Sequence, residues 1–190
     1  RVGKTKRSLF FLNVHGRDNF KRLCELTEVD KHSLVFLSET WLVEQKSSSL
    51  LLNKDKFCVP AQKKAKGRPF GGLELYVSRY LQAQQKSKSD HHIAVDIGSS
   101  SIIGVYYRPS LELDDIISDV SKAIACCGNQ EDIVLCGHSY GGMVITGVAE
   151  ALRSRIDAMV YLDAFVPEPQ QSLVDAMPED RREKARLAFG

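Results

Sequence analysis

The chain has 190 residues, 43% hydrophobic and 26% charged, which is enough apolar side chain to bury a core and excludes global disorder. That length suits one ordinary domain or two incomplete ones. A formal net charge of +2 does not by itself call for nucleic acid or a membrane.

Charge is nevertheless clustered. Arg1, Lys4, Lys6 and Arg7 form one basic group, and Lys63, Lys64, Lys66 and Arg68 another; each suits phosphate or plain solvent equally. The five cysteines (Cys24, Cys58, Cys126, Cys127, Cys136) are odd in number and form no C-x-x-C pair. Reduced, mostly buried thiols are therefore expected, in a cytoplasmic or otherwise intracellular protein. Neither a signal-peptide pattern nor an apolar run of membrane-spanning length is present, so no membrane partner is expected. The sequence opens on Arg1, as a fragment or a processed product would.

In chain order, Ser8–Val14 reads as a buried strand ending at His15-Gly16. Asp18 is placed to cap a helix whose apolar face is Phe20, Leu23, Cys24 and Leu26. A second strand spans Ser33–Leu37, and Glu44–Asn53 carries little pattern. Gln62–Phe70 is a basic loop broken by Gly67 and Pro69. Strands follow at Gly72–Val77, His92–Ile97 and Ser101–Tyr107, giving a sheet-rich, sandwich-like first part. From Leu113 the period changes: Leu113, Ile116, Ile117, Val120 and Ile124 mark an amphipathic helix closed by Gly128-Asn129. Then come a strand from Ile133, a helix carrying Met143, Val144, Val148 and Leu152, and a strand at Ala158–Leu162. Asp163–Pro169 leaves that strand as a loop, and Asp175–Leu187 forms a charged surface helix or a frayed end. Helix, strand, helix, strand is α/β order with parallel strands.

The stretch Ile133–Ile145, IVLCGHSYGGMVI, carries the strongest chemistry. An apolar run meets Gly137-His138-Ser139-Tyr140-Gly141 just before a helix, which is the G-x-S-x-G spacing. A serine on so sharp a strand-to-helix turn projects its hydroxyl clear of the sheet, in a strained backbone region. Glycines at 137 and 141 let neighbouring backbone approach. The Tyr140 N–H, near the helix start, would face an oxyanion.

On these residues, and on RIDAMVYLDAFVPEPQQSL after them, the segment from about 132 to 190 resembles an α/β-hydrolase fold esterase. The resemblance implies Ser139 as nucleophile, Tyr140 as a backbone oxyanion donor, and a small carboxylic ester as substrate, with no cofactor. It makes Asp163 structural. The earlier stretches KRSLFFLNVHG, VFLSETWL, GRPFGGLELYV and IIGVYYRPS, over residues 6–131, resemble the endonuclease/exonuclease/phosphatase family, particularly non-LTR retrotransposon endonucleases. This second resemblance implies Mg²⁺ on Glu39, with Asn13 and Tyr107 at the metal shell or scissile phosphate, and DNA as partner. Pro109 completes its Tyr-x-Pro. The fold class expected is therefore α/β: a sheet-rich nuclease-like part joined to a parallel β-α-β segment of hydrolase type.

Each half arrives incomplete. The nuclease family's Gly-Asp-Phe-Asn is replaced by Gly137-His138-Ser139-Tyr140, and its later Ser-Asp-His is absent. A serine triad runs Ser, then Asp or Glu, then His, yet no histidine follows Ser139. Leu12–Gly16 also resembles the His-Gly loop that supplies a second oxyanion donor, which would make Gly16 or Arg17 that donor if the chain were one hydrolase. Three outcomes stay open: a serine esterase, a Mg²⁺-dependent nuclease, and a non-catalytic chimeric fragment. Oligomeric state is not legible.

Overall fold

The computed structural model describes residues 7–44, 49–107, 111–126, 128, 133–168, 171–172, 174–175, 177–179 and 181–183. The basic group at 1–6, Arg108 and Pro109 of the Tyr-x-Pro, Cys127, Asn129, and the terminal segment from 184 lie outside them. The chain divides into two units, 1–108 and 109–190. The helix after Leu113 lies in the second.

In the first unit the four-stranded sheet comprises β1 (Leu9–Asn13), β2 (Leu34–Ser38), β3 (Lys54–Val59) and β4 (Leu73–Ser78), in the order β1-β2-β4-β3. β1 and β2 are parallel, whereas β4 runs antiparallel to both β2 and β3. A three-stranded antiparallel sheet comprises β5 (Gln84–Lys88), β6 (His92–Ile97) and β7 (Ser100–Val105). Leu34, Phe36, Leu73, Leu75 and Val77 of the first sheet pack on Ile93, Val95 and Ile97 of the second. That is a sandwich core, with alternate residues of each strand facing inward. The opposite face of the four-stranded sheet carries Val35, Leu37 and Tyr76, covered by Phe20 of α1 (Arg17–Leu26).

Three expectations change here. Asp18 does not cap α1: Gly16 holds the cap position without a side-chain bond, and Asp18 lies in the first turn. The helix start is fastened instead by Asn19, whose amide donates to the carbonyls of Val14 (2.9 Å) and His15 (3.0 Å). Leu26 is 82% exposed, because α1 ends there and turns away from the sheet. Nor are the thiols mostly buried, since Cys24 and Cys58 are half-buried and Cys126 and Cys136 exposed.

The second unit is built from α2 (Leu113–Cys126), β8 (Ile133–Ser139), α3 (Gly141–Ala151) and β9 (Ile156–Ala164). β8 and β9 form a two-stranded parallel sheet, as the α/β order requires. α2 buries Ile116, Val120, Ala123 and Ile124. A Cβ on Gly147 of α3 would collide with Ile117, so a residue without a side chain lets the two helices close. Leu135 and Gly137 of β8 are buried, whereas Val134 (58%), Val160 (46%) and Leu162 (49%) stand exposed. Beyond Val166, residues 179 and 181–183 are helical, a short piece of the charged surface helix. Among the described residues the nine strands fall in sheets of four, three and two, with no single continuous sheet.

Candidate active site

Ser139 ends β8 with φ 53, in the left-handed region, and Tyr140 enters the helical region at φ −57, ψ −25 before α3 begins at Gly141. A non-glycine residue held at positive φ stores strain that the surrounding packing must impose. Two close approaches impose it. A Cβ on Gly137 would lie 2.5 Å from the Gly141 carbonyl oxygen, and one on Gly142 would overlap the carbonyl oxygen of Phe165. The turn therefore needs bare backbone at 137 and 142; Gly141, the second glycine of the sequence motif, meets nothing within 4 Å. Phe165 N–H donates to the Ser139 carbonyl (3.1 Å), and Met143 N–H to the Tyr140 carbonyl (3.0 Å) closes the first helical turn.

The serine so held is exposed at the carboxyl end of β8. Tyr140 N–H lies where a helix has no carbonyl four residues back to accept it, so its proton is disposed to meet an anionic oxygen. Burial, and then the charge of Glu112, push the Tyr140 phenol up from its ordinary value. Thr146 Oγ1 donates back to the Gly142 carbonyl (2.8 Å) and shares a hydrogen bond with the Tyr161 hydroxyl (2.8 Å), tying α3 to β9.

Asp163 stands beside the serine in an unexpected way. The β8–β9 register pairs His138 with Leu162 and Ser139 with Ala164, so Asp163 is skipped as a bulge, at φ 44. Its sequence gives one signal for this: aspartate is among the few side chains that tolerate the left-handed region. His138 is exposed and in register with Leu162.

Of the residues singled out in the first unit, Asn13, Gly16 and Glu39 lie at or just beyond the carboxyl ends of β1 and β2. Asn13 pairs with Ser38, and its Oδ1 is buried without a hydrogen bond. Glu39 follows at φ 56, and both its oxygens are engaged: Oε2 accepts from Trp41 Nε1 (2.6 Å) and Oε1 from Gly71 N–H (3.2 Å). Tyr107 lies beyond β7, stacked on His91 with centroids 4.9 Å apart. Gly16 donates its N–H to the Glu39 carbonyl (2.8 Å), and Arg17 donates its own to Thr40 (3.0 Å), so neither amide has a proton left for an oxyanion.

Mg²⁺ prefers several oxygen ligands, usually one or two carboxylates with waters and phosphate. Glu39 has neutral N–H donors on both oxygens, and among the described residues no three His, Cys, Asp or Glu side chains are grouped to hold a metal ion. These residues do not fit the ion. One polar cluster escaped the sequence: Glu74, wholly buried in β4, faces Arg17 (3.6 Å), Lys56 (3.5 Å) and the Tyr76 hydroxyl (3.0 Å). A charge inside the apolar run Leu73–Val77 was the signal.

A parallel strand, a serine at positive φ, a helix and a returning strand have the geometry of a nucleophile elbow. Residues 70–189 match the alpha/beta hydrolase family, and the chain belongs to that family. Over 80 residues it is 47% identical to a carbendazim hydrolyzing esterase of Nocardioides sp., covering 40% of this chain and 33% of that protein. Methylesterase 1 of Arabidopsis thaliana is 30% identical over 80 residues, 42% of this chain and 30% of the relative. Polyneuridine aldehyde esterase of Rauvolfia serpentina is 26% identical over 103 residues, 54% and 39%. The chain thus spans between 30% and 39% of the length of these relatives. Among solved structures, a 3′ phosphatase from Neisseria bound to a product DNA hairpin is similar at 12% identity and TM-score 0.44, covering 63% of this chain and 53% of that one. Among the described residues no helix is long and apolar enough to cross a membrane.

Proposed function

We propose that the protein is a serine esterase acting on small carboxylic esters through an acyl-Ser139 intermediate. The single observation that carries this is Ser139 at φ 53 between β8 and α3, exposed, with the Tyr140 amide following it. Ser139 Oγ attacks the ester carbonyl carbon, the carbonyl oxygen becomes an oxyanion near Tyr140 N–H, and the alcohol leaves with the serine proton. Water then attacks the acyl carbon, releasing the acid and restoring the hydroxyl. The esterase names of the relatives support the substrate class.

The base is the weak point of the chemistry. No histidine follows Ser139, so these residues supply an elbow and one oxyanion donor. Such a remnant sustains ~10³–10⁴-fold acceleration over water, as enzymes stripped of a triad member do. A fluorophosphonate probe labels Ser139 slowly and loses labelling in Ser139→Ala. Folded protein that stays unlabelled over prolonged incubation overturns the assignment, leaving the non-catalytic outcome. Cleavage of DNA through Asn13, Glu39 and Tyr107 would require Glu39 to ligate a metal ion while Trp41 Nε1–H and Gly71 N–H each donate to one of its oxygens.

A further inference from the structure

We propose that Ser87, His92 and Ser89 form a further nucleophilic site, at which small activated esters transfer their acyl group to Ser87 Oγ without the help of Ser139. His92 opens β6 and is buried, and both its ring nitrogens meet serine hydroxyls. Nε2 lies 3.1 Å from Ser87 Oγ, and Nδ1 lies 2.8 Å from Ser89 Oγ. A hydroxyl within reach of an imidazole that a third group orients is the arrangement that activates a serine. Ser89 suits the orienting part. Its Oγ also accepts the His91 N–H (3.1 Å), and its own N–H donates to the His92 carbonyl (3.0 Å), so the hydroxyl is fixed against the residue whose ring it holds.

Strand geometry brings the nucleophile to the base. Ile93, Val95 and Ile97 face the sandwich core, so His92, Ala94 and Asp96 alternate onto the other face of the three-stranded sheet. β5 pairs Gln85 with Val95 and then Ser87 with Ala94, skipping Lys86 as a bulge. With Lys86 in register, Ser87 would lie opposite Ile93 and point to the core, away from the imidazole. The bulge also turns Lys86 toward the face of His92, where its ammonium lies 3.3 Å from Asp96. A cation and a hydroxyl, consecutive in sequence, therefore share one face, and Ser87 is only half-buried there.

In the tautomer with its proton on Nδ1, His92 donates to Ser89 Oγ and presents the Nε2 lone pair to the Ser87 hydroxyl. Ser87 Oγ bonds to the acyl carbon as its proton passes to Nε2. The bond from that carbon to the leaving oxygen breaks, and the departing aryloxide takes the proton from Nε2. The products are acyl-Ser87 and a phenol, with the imidazole neutral again. Aryl esters suit a hydroxyl activated by one imidazole, because their leaving group needs little help. The charged and titratable groups around the ring are otherwise engaged: Lys86 with Asp96, Asp90 with the Gln62 amide (3.0 Å), and His91 in its stack on Tyr107.

Full-length protein carrying Ser139→Ala is incubated with p-nitrophenyl acetate, and acetylated residues are mapped by mass spectrometry of its peptides. Residue 139 has no hydroxyl in this background, so the outcome is independent of the elbow. Alkaline hydroxylamine strips acetyl from serine oxygen and spares lysine amides. Acetyl-Ser87 should form at least ~100-fold faster than acetyl-Ser101, whose hydroxyl donates to Asp96 (2.6 Å) without a base beside it. Its rate should climb with pH as an imidazole loses its proton. His92→Gln should slow it by ~10²–10⁴-fold and flatten that profile, whereas Ser89→Ala should slow it and keep the profile. Urea unfolding confirms that each variant is folded. Acetylation of Ser87 no faster than that of Ser101 overturns the proposal, and the unsubstituted site answers this without any variant. So do acetyl groups on Lys86 or Lys88 with none on Ser87, and an unchanged rate in folded His92→Gln.

Discussion

Gly142→Ala isolates the packing that strains the serine. In a helix, replacing glycine by alanine ordinarily stabilises by about 1 kcal/mol. Here the added methyl overlaps the Phe165 carbonyl oxygen, a backbone atom that cannot rotate aside. Overpacking of this kind destabilises by about 1–3 kcal/mol. If the 163–165 turn lifts to relieve it, the Phe165-to-Ser139 hydrogen bond is lost as well, at about 0.5–1.5 kcal/mol. Set against the helical gain, the net expectation is a loss of about 1–3 kcal/mol. Gly141→Ala is the matched control, because its methyl enters open space and should be neutral or stabilising by up to about 1 kcal/mol. Urea unfolding ranks the variants, and amide exchange of the Phe165 segment localises the effect. Stabilisation by Gly142→Ala, or equal shifts in both variants, would refute the claim that the β9 turn braces the elbow.

Tyr76→Phe leaves the buried Glu74 Oε2 without its 3.0 Å donor and should destabilise the first unit by about 1–3 kcal/mol in urea. Burial, and then the Glu74 charge, hold the Tyr76 hydroxyl well above the ordinary tyrosine value of 10.0. Its linked stability is complete below that value and falls as pH climbs past it, so alkaline unfolding should be steeper than in Tyr76→Phe. Asp96 is held below the ordinary 3.8 by the Ser101 hydroxyl first and Lys86 second. Its contribution exists above 3.8 and disappears as pH falls through the depressed value; Ser101→Ala should move the Asp96 carboxyl titration upward by NMR. An unmoved titration would show that the hydroxyl has no hold on the carboxylate.

Apolar alternation made β6 readable: Ile93, Val95 and Ile97 all face the sandwich core. β3 escaped notice because Lys54, Asp55 and Lys56 open it. Lys54 is nonetheless buried, its ammonium donating to the carbonyls of Asp30 and His32 and to Ser78 Oγ, partners remote in sequence. β5, polar throughout, is held by its backbone ladder to β6, which composition cannot reveal. The period of α2 was clear, but not its allegiance, which depends on Ile117 fitting over Gly147. At the site, Gly137 and Ser139 were legible from spacing. Spacing also pointed to Gly141, whereas the constraint falls on Gly142, since only the returning β9 brings Phe165 into contact.

Among the described residues β8 and β9 pair with nothing but each other, and Val134, Val160 and Leu162 lie bare on them. Unsatisfied ladder edges flanked by greasy side chains recruit strands from other molecules. Protein concentration, more than heat, would then set the shelf life of a solution of this chain. Dilute handling, or charged residues introduced at Val134 and Val160, would be the route to crystals.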